Sequence, residues 1–524
     1  MSKPSAQDQI ETIARPLTFA RGKRAPNRLA KAPMEEMLAQ MGGGPPTPAH
    51  LELYRSWARG GWGMVITGNV AIDNTHLGTP FDVTTPPDSA NAAERQRFKQ
   101  AFKLYADAVT GRDQADVVPS SQRPLGVVQL VHAGRQSMRG SGRGIMTDPI
   151  APSTVPMRPT AHLGPFGTVL DKVMWGTPIE MSLQQVQWLK NRFIEAAKLC
   201  EEAGFDGVEL HASHGYMLAA FLSPLTNTRK DQYGGGAENR ARLLLEIVDG
   251  VRAATGDDFL VGVKLNSSDY VQGGLTEEDA LLNVRWLAEN GGVDFVEISG
   301  GNYENPSFVM EGFDSEAEKA KVSGKQYQPK TSKRTAAREA FFASFSRQCR
   351  SVVTPPSSSP EETRLKLILT GGLRTRAGIA SVLSPSSDPD NDGAGVDMAC
   401  LGRPAALYPD LPRRLLDPAL PDMEADTPRY TIPAVGALGL LPIKLVGAGW
   451  GTMWHSLMMA QIAIGSTPDP KASVIKLFRD LAGAPTGKKQ AEGESQGAFL
   501  LRWVAIIVVF LAVGQGLLFS YLRS

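Results

Sequence analysis

Residues 206–225 read "DGVELHASHGYMLAAFLSPL": a short apolar run that breaks at two histidines, His211 and His214, followed at once by Gly215 and Tyr216. A strand that ends in reactive side chains is how a parallel barrel presents chemistry, from the C-terminal ends of its strands. Seven other short apolar runs resemble this one. They are "RLAKAPM" from Arg28, "GMVITGN" from Gly63, "LGVVQLVH" from Leu125, "FLVGVKLN" from Phe259, "VDFVEISG" from Val293, "LKLILTGG" from Leu365 and "VDMACLGR" from Val396. Between and after them the spacing predicts amphipathic helices over 48–59, 91–109, 182–203, 238–254, 276–289, 333–350, 375–383 and 405–416. Strands apolar on both faces, alternating with helices, imply a covered parallel sheet, and eight such units imply an α/β fold of the (β/α)8 TIM-barrel type.

The chain has 524 residues, with 55 lysines and arginines against 54 acidic residues, so its bulk charge gives no reason to expect nucleic acid. Its three cysteines, Cys200, Cys349 and Cys400, cannot build a disulfide framework or supply four thiolates to an iron–sulfur cluster. The first residues carry no apolar run of the secretory type. Residues 503–522, "WVAIIVVFLAVGQGLLFSYL", hold 20 positions without a charge between Arg502 and Arg523. That length spans a bilayer core, so a C-terminal transmembrane helix is expected, with the catalytic domain in the cytosol and either the endoplasmic reticulum or the mitochondrial outer membrane as host. The expected organisation is a barrel over 1–416, an extension packing on it over 417–484, a flexible tether over 485–502 and the anchor over 503–522. Residues 133–181 follow the third strand and are expected to cap the catalytic end. Polar insertions that precede strands belong at the opposite end.

A metal reading of His211 and His214 needs a further ligand at a comparable strand end. None is apparent among the other five histidines, and no metal site is expected.

The stretch from His211 to Arg240 resembles the fourth-strand motif of the old yellow enzyme family of FMN-dependent NADH:flavin oxidoreductases and ene-reductases. "NRLAKAPM", "QLVHAGRQ", "SGGNYE", "LTGGLRT" and "LGRPAALYPDLP" support the resemblance in the family's order, over roughly four-fifths of the chain. It implies a (β/α)8 barrel holding FMN, with NADH or NADPH as reductant and an electrophilic alkene or quinone-like molecule as acceptor. It implies that His211 and His214 hydrogen-bond the acceptor's oxygen and that Tyr216 donates the proton to carbon. Two donors aimed at one oxygen stabilise the enolate-like charge that grows as hydride arrives, and a phenol is protonated at neutral pH. The cofactor is expected to meet Pro33, Met34 and Glu35 of the first strand, Asn69 of the second, Gln129 of the third and Lys264 of the fifth. Its phosphate is expected at Gly371, Gly372, Gly402 and Arg403. Glu35 departs from the pattern, since the family usually has Thr or Cys there, and a carboxylate beside the flavin would oppose an anionic reduced state. A flavin-dependent isomerase or oxidase, and a membrane-tethered flavin-binding scaffold without turnover, are the alternative readings.

Overall fold

The computed structural model describes residues 4–160, 164–305, 342–354, 363–384, 394–428 and 444–472, with single positions between the later segments. Eight parallel strands carry the fold: β1 Leu29–Lys31, β2 Met64–Ala71, β3 Leu125–Val131, β4 Gly207–Ala212, β5 Leu260–Asn266, β6 Phe295–Ser299, β7 Lys366–Thr370 and β8 Met398–Leu401. Each pairs in parallel with the next, and β8 returns to β1 through Ala399 opposite Leu29, so the sheet closes. β2 and β3 are buried along their whole length, as expected of strands packed on both faces.

The barrel interior is filled by Met64, Ile66, Val127, Leu260, Phe295, Ile368, Met398 and Cys400, and its floor by Leu17 and Phe19 from a short N-terminal hairpin. A Cβ on Gly262 would lie 2.0 Å from the Phe295 ring. Only glycine lets that ring fill the interior.

Outside the barrel lie α1 Pro48–Arg59, α2 Ala92–Thr110, α3 Leu183–Ala203, α4 Ala237–Ala254, α5 Glu277–Asn290, α6 Ala343–Val353, α7 Arg376–Leu383 and α8 Arg403–Leu407. Local chemistry sets their ends. Ser182 and Gln185 cap each other at the start of α3, and Gly204, with φ 96°, stops it in the left-handed region. One expectation fails: the helix over 405–416 is two pieces, α8 and Leu411–Leu415. Tyr408 precedes Pro409, which disfavours the helical region for it, and the chain leaves the helix there at φ −129°. Of the helix expected over 333–350, the described part starts at Ala343.

Beyond the barrel, the helix Lys444–Ala463 packs against α1 and α8, and its Trp454, Leu457, Met458 and Met459 join the main apolar core. Ser456 Oγ donates to the Glu35 carbonyl at 2.7 Å. Among the described residues no helix is long and apolar enough to cross a membrane. The expected anchor, 503–522, lies outside them.

Candidate active site

His211 is the penultimate residue of β4, and the turn after the strand carries His214 at φ 58° and Gly215 at φ 78°. A left-handed residue before a glycine turns the chain back sharply, which lets His211, His214 and Tyr216 share one space. The ring centroids of His211 and His214 are 5.2 Å apart, and those of His211 and Tyr216 are 4.6 Å apart. The Ser213 amide donates to His211 Nδ1 at 3.4 Å, so the ring proton is on Nε2. His214 is tied to β6 by a 2.8 Å contact between Nε2 and Ser299 Oγ, and its amide donates to Asn266 Oδ1 at 3.1 Å. Burial drives both imidazoles well below the usual histidine range, and for His211 the neighbouring His214 and Lys264 add to it. Both are therefore neutral, with the His211 N–H on Nε2.

Next to this pair the barrel interior is unexpectedly acidic. Lys264 Nζ contacts Glu297 Oε1 at 2.5 Å, Thr370 Oγ1 donates to the same oxygen at 2.5 Å, and Gln129 Nε2 donates to Glu209 Oε2 at 3.4 Å. All of these side chains except Thr370 are buried. Burial opposes the Lys264 charge, but the Glu297 and Glu209 carboxylates outweigh it and raise its pKa. Glu209 is raised well above the carboxylate range, first by burial and then by the charge of Glu297. Glu209 and Glu297 escaped the sequence reading because each sits as one polar residue in an apolar run, without a motif.

Glu35, half-buried, turns its carboxylate toward β4: Oε1 accepts from the Tyr216 hydroxyl at 2.8 Å and from Asn69 Nδ2 at 3.1 Å. Tyr303, from the loop after β6, sits beyond with its ring 6.1 Å from that of Tyr216. Pro33 and Met34 precede Glu35 at the same strand end. A Cβ on Gly402 would lie 3.6 Å from Met34 Sδ, so the ends of β1 and β8 meet. After β7, Gly371 and Gly372 both have positive φ, 119° and 79°, a backbone that side chains strain against, and Arg403 opens α8 beside Gly402. The structure thus brings the expected residues to one end of the barrel.

The chain matches the NADH:flavin oxidoreductase / NADH oxidase family over residues 120–310. It is 34% identical over 448 residues to the NADH-dependent flavin oxidoreductase iccE of Talaromyces variabilis, covering 84% of this chain and 96% of that protein. It is 34% identical to iliE of Neonectria sp. (strain DH2), a protein described in the same words, over 76% of this chain but 46% of that one. The chain belongs to this flavin oxidoreductase family, the old yellow enzymes. In structure it resembles the old yellow enzyme homologue from Zymomonas mobilis, with a TM-score of 0.55 and 24% identity, over 80% of this chain and 99% of that one.

Membership makes FMN the cofactor and NAD(P)H the reductant. The donor set of this old yellow enzyme barrel fits that group. A buried amide that can donate and accept, a buried ammonium, and a glycine pair followed by an arginine turn suit a flavin pyrimidine edge and a phosphate.

A second histidine cluster lies nearby. Asp73 Oδ2 is 2.9 Å from His76 Nδ1 and 3.3 Å from His132 Nε2, and all three groups are buried within metal-ligand reach of one another. Their protons argue against a metal. The Ile150 amide donates to His76 Nε2 at 3.2 Å and the Gly134 amide to His132 Nδ1 at 3.0 Å, so each ring uses its lone pair on the backbone and turns an N–H to Asp73. Burial would raise Asp73, yet the hydrogen bonds from His132 and His76 hold it well below the carboxylate range. The cluster is a latch. It ties the turn after β2 to the start of the cap, in which the helix Gly164–Trp175 lies between the paired strands Ile150–Ala151 and Ile179–Glu180.

Proposed function

We propose that this flavin oxidoreductase is an ene-reductase that delivers hydride to an activated alkene, such as an α,β-unsaturated carbonyl, or to a similar acceptor. The observation that carries the reading is the convergence of His211, His214 and the Tyr216 hydroxyl at one strand end. When bound, FMN would relay hydride from NAD(P)H to the acceptor through N5. The chain's own part is to orient and to move a proton. Neutral imidazole N–H groups stabilise negative charge growing on the acceptor oxygen without giving up a proton to it. Tyr216, raised well above the usual phenol range by burial and then by the Glu35 charge, stays protonated and serves as the acid for carbon. The expected result is a yellow protein that NADH or NADPH bleaches and that enones and nitroalkenes restore. Reoxidation by quinones but by no alkene would overturn the reading.

The hydrogen bond from Tyr216 to Glu35 supports a second reading, because a base paired with that phenol also suits removal of a proton from carbon. Flavin-dependent isomerisation or oxidation would then be the activity. NAD(P)H consumption with and without an enone separates the two.

We also propose that residues 503–522 tether the enzyme to a membrane with the barrel on the cytosolic side, on the strength of their uncharged length and flanking arginines. Fractionation tests it. Full-length protein should need detergent and a chain ending at Ala484 should not; release of both without detergent would refute the tether.

A further inference from the structure

Three acidic groups meet where the family pattern places a neutral side chain. Glu35 Oε1 accepts the Tyr216 hydroxyl proton, and Asp82 arrives from the loop after β2. A Cβ built on Gly78 would lie 3.2 Å from Asp82 Oδ2, 3.3 Å from the Tyr216 hydroxyl and 3.4 Å from Glu35 Oε1. The three groups therefore surround one bare stretch of backbone. Asp82 Oδ2 accepts from the Gly78 amide at 2.8 Å and the Thr79 amide at 3.1 Å, and Oδ1 is 2.5 Å from Thr79 Oγ1.

A phenol has a single hydrogen. While that hydrogen lies on ionised Glu35 it is turned away from an acceptor, and a phenolate beside that carboxylate would be penalised. With Glu35 in its acid form the direction reverses. The carboxyl O–H donates to the phenol oxygen, and the Tyr216 hydrogen is free to point into the pocket.

We propose that Glu35, in its carboxylic acid form beside Asp82, is the positioning residue that frees the Tyr216 proton for transfer and then returns one to the phenolate. The proposal rests on the ene-reductase reading. In the step, the Tyr216 O–H bond breaks as a C–H bond forms at the acceptor's α-carbon. The Glu35 O–H bond then breaks as the phenol O–H reforms, and Glu35 regains its proton from water. Hydride comes from NAD(P)H, so each turnover takes up one proton from solvent.

The surroundings favour the acid form. Burial raises Glu35, the Tyr216 hydrogen bond opposes this, and the charge of Glu36 adds to it. Burial and then the charge of Glu35 push Asp82 up to about 8. Of the other groups near the pair, Tyr303 and the three histidines do not titrate alongside it, whereas Lys31, behind Glu36, does. Tyr303 is raised by burial, and His211 and His214 are driven low. His455, on the helix whose Ser456 binds the Glu35 backbone, is lowered to about 4 by burial. Lys31, behind Glu36, is lowered to about 8 by burial and hydrogen-bonds the Ile66 carbonyl at 3.1 Å.

The test follows reoxidation of the NADH-reduced holoenzyme by an enone and by a quinone across pH, with infrared titration of the carboxyl C=O band as a readout independent of turnover. In the wild type, enone reduction should fall as pH rises through the pKa of the pair, quinone reduction should not follow it, and a protonated-carboxyl band should vanish with the same midpoint. Glu35→Ala should slow enone reduction on the order of 10²-fold, with the quinone rate falling less. Glu35→Gln keeps an N–H donor and should lose the alkaline limb. Asp82→Asn should shift that limb, which keeps the test open if the Glu35 variants fail to fold. An alkaline limb unchanged in Glu35→Gln, or the same pH dependence for both acceptors, would overturn the proposal. If the wild type reduces no enone at any pH, the ene-reductase reading fails by itself. The relay is then decided by the infrared band, and its absence, or its survival in both Glu35→Gln and Asp82→Asn, sinks the relay.

Discussion

Lys264 Nζ lies 2.5 Å from Glu297 Oε1, across one rung of the β5–β6 ladder, with both side chains buried. A charge pair in that setting is held by each partner's need for the other. Lys264→Met leaves Glu297 and Glu209 together without a cation, and removing one partner of a buried pair costs about 3–5 kcal/mol. Denaturant unfolding should show that loss, and adding Glu297→Gln should recover part of it. A single Lys264→Met chain as stable as the wild type would mean that the carboxyls are protonated without help.

Tyr216→Phe keeps the ring that packs on His211 and removes the acid. Flavin reduction by NAD(P)H should persist, while reduction of simple enones falls on the order of 10²-fold. Quinones need no proton on carbon and should be reduced with a smaller loss. Rapid-mixing measurements of the two half-reactions would show it, and an equal fall for both acceptor classes would remove Tyr216 as the donor.

Asp82 links stability to pH. Its folded pKa is raised from an ordinary 3.8 to about 8, so between those values the folded chain keeps a proton that the unfolded chain has lost. Stability from this site is present at low pH and lost as pH rises toward about 8. Asn at this position keeps an oxygen to accept from the Gly78 and Thr79 amides without carrying a charge. Asp82→Asn should therefore raise Tm most on the alkaline side, with the gain vanishing toward acid. A uniform offset at all pH values would contradict this account.

The Asp73, His76 and His132 latch makes a prediction about metals. Because backbone amides occupy the ring lone pairs, a strong chelator should leave Tm unchanged. Asp73→Ala, by contrast, takes away the 3.3 Å partner of buried His132 Nε2 while Thr75 Oγ1 stays within reach of His76 Nδ1, and should cost about 1–3 kcal/mol for the one group left unsatisfied. A drop in Tm on chelation alone would reopen the metal reading.

Much of this was legible in the chain because the strands are short apolar runs whose last residues are polar. All eight runs became barrel strands, and most helix bounds agree within a residue, where Ser182, Gly204 or Thr276 marks the end. His211, His214, Tyr216 and Gln129 were readable from the resemblance. The partners of those groups were not. Asp82 sits in a loop, Glu209 and Glu297 sit inside strands, and Asp73, His76 and His132 come from the turns after β2 and β3, brought together by the pairing of those strands. Such contacts depend on tertiary geometry, which period and spacing do not encode. The carboxylate of Glu35 was visible, but its direction toward Tyr216 was not.

The Ser456 hydroxyl and the Glu35 carbonyl are separated by 421 positions. During synthesis the N-terminal part of a chain emerges first, and closing so long a loop is slow. The backbone that carries Glu35 is made almost at the outset, yet it acquires this partner only after the helix Lys444–Ala463 has cleared the ribosome. Until then β1 waits twice, for β8 to close the ring and for that helix to cover its end. A nascent chain stalled short of residue 444 would leave the apolar flank of α1 uncovered.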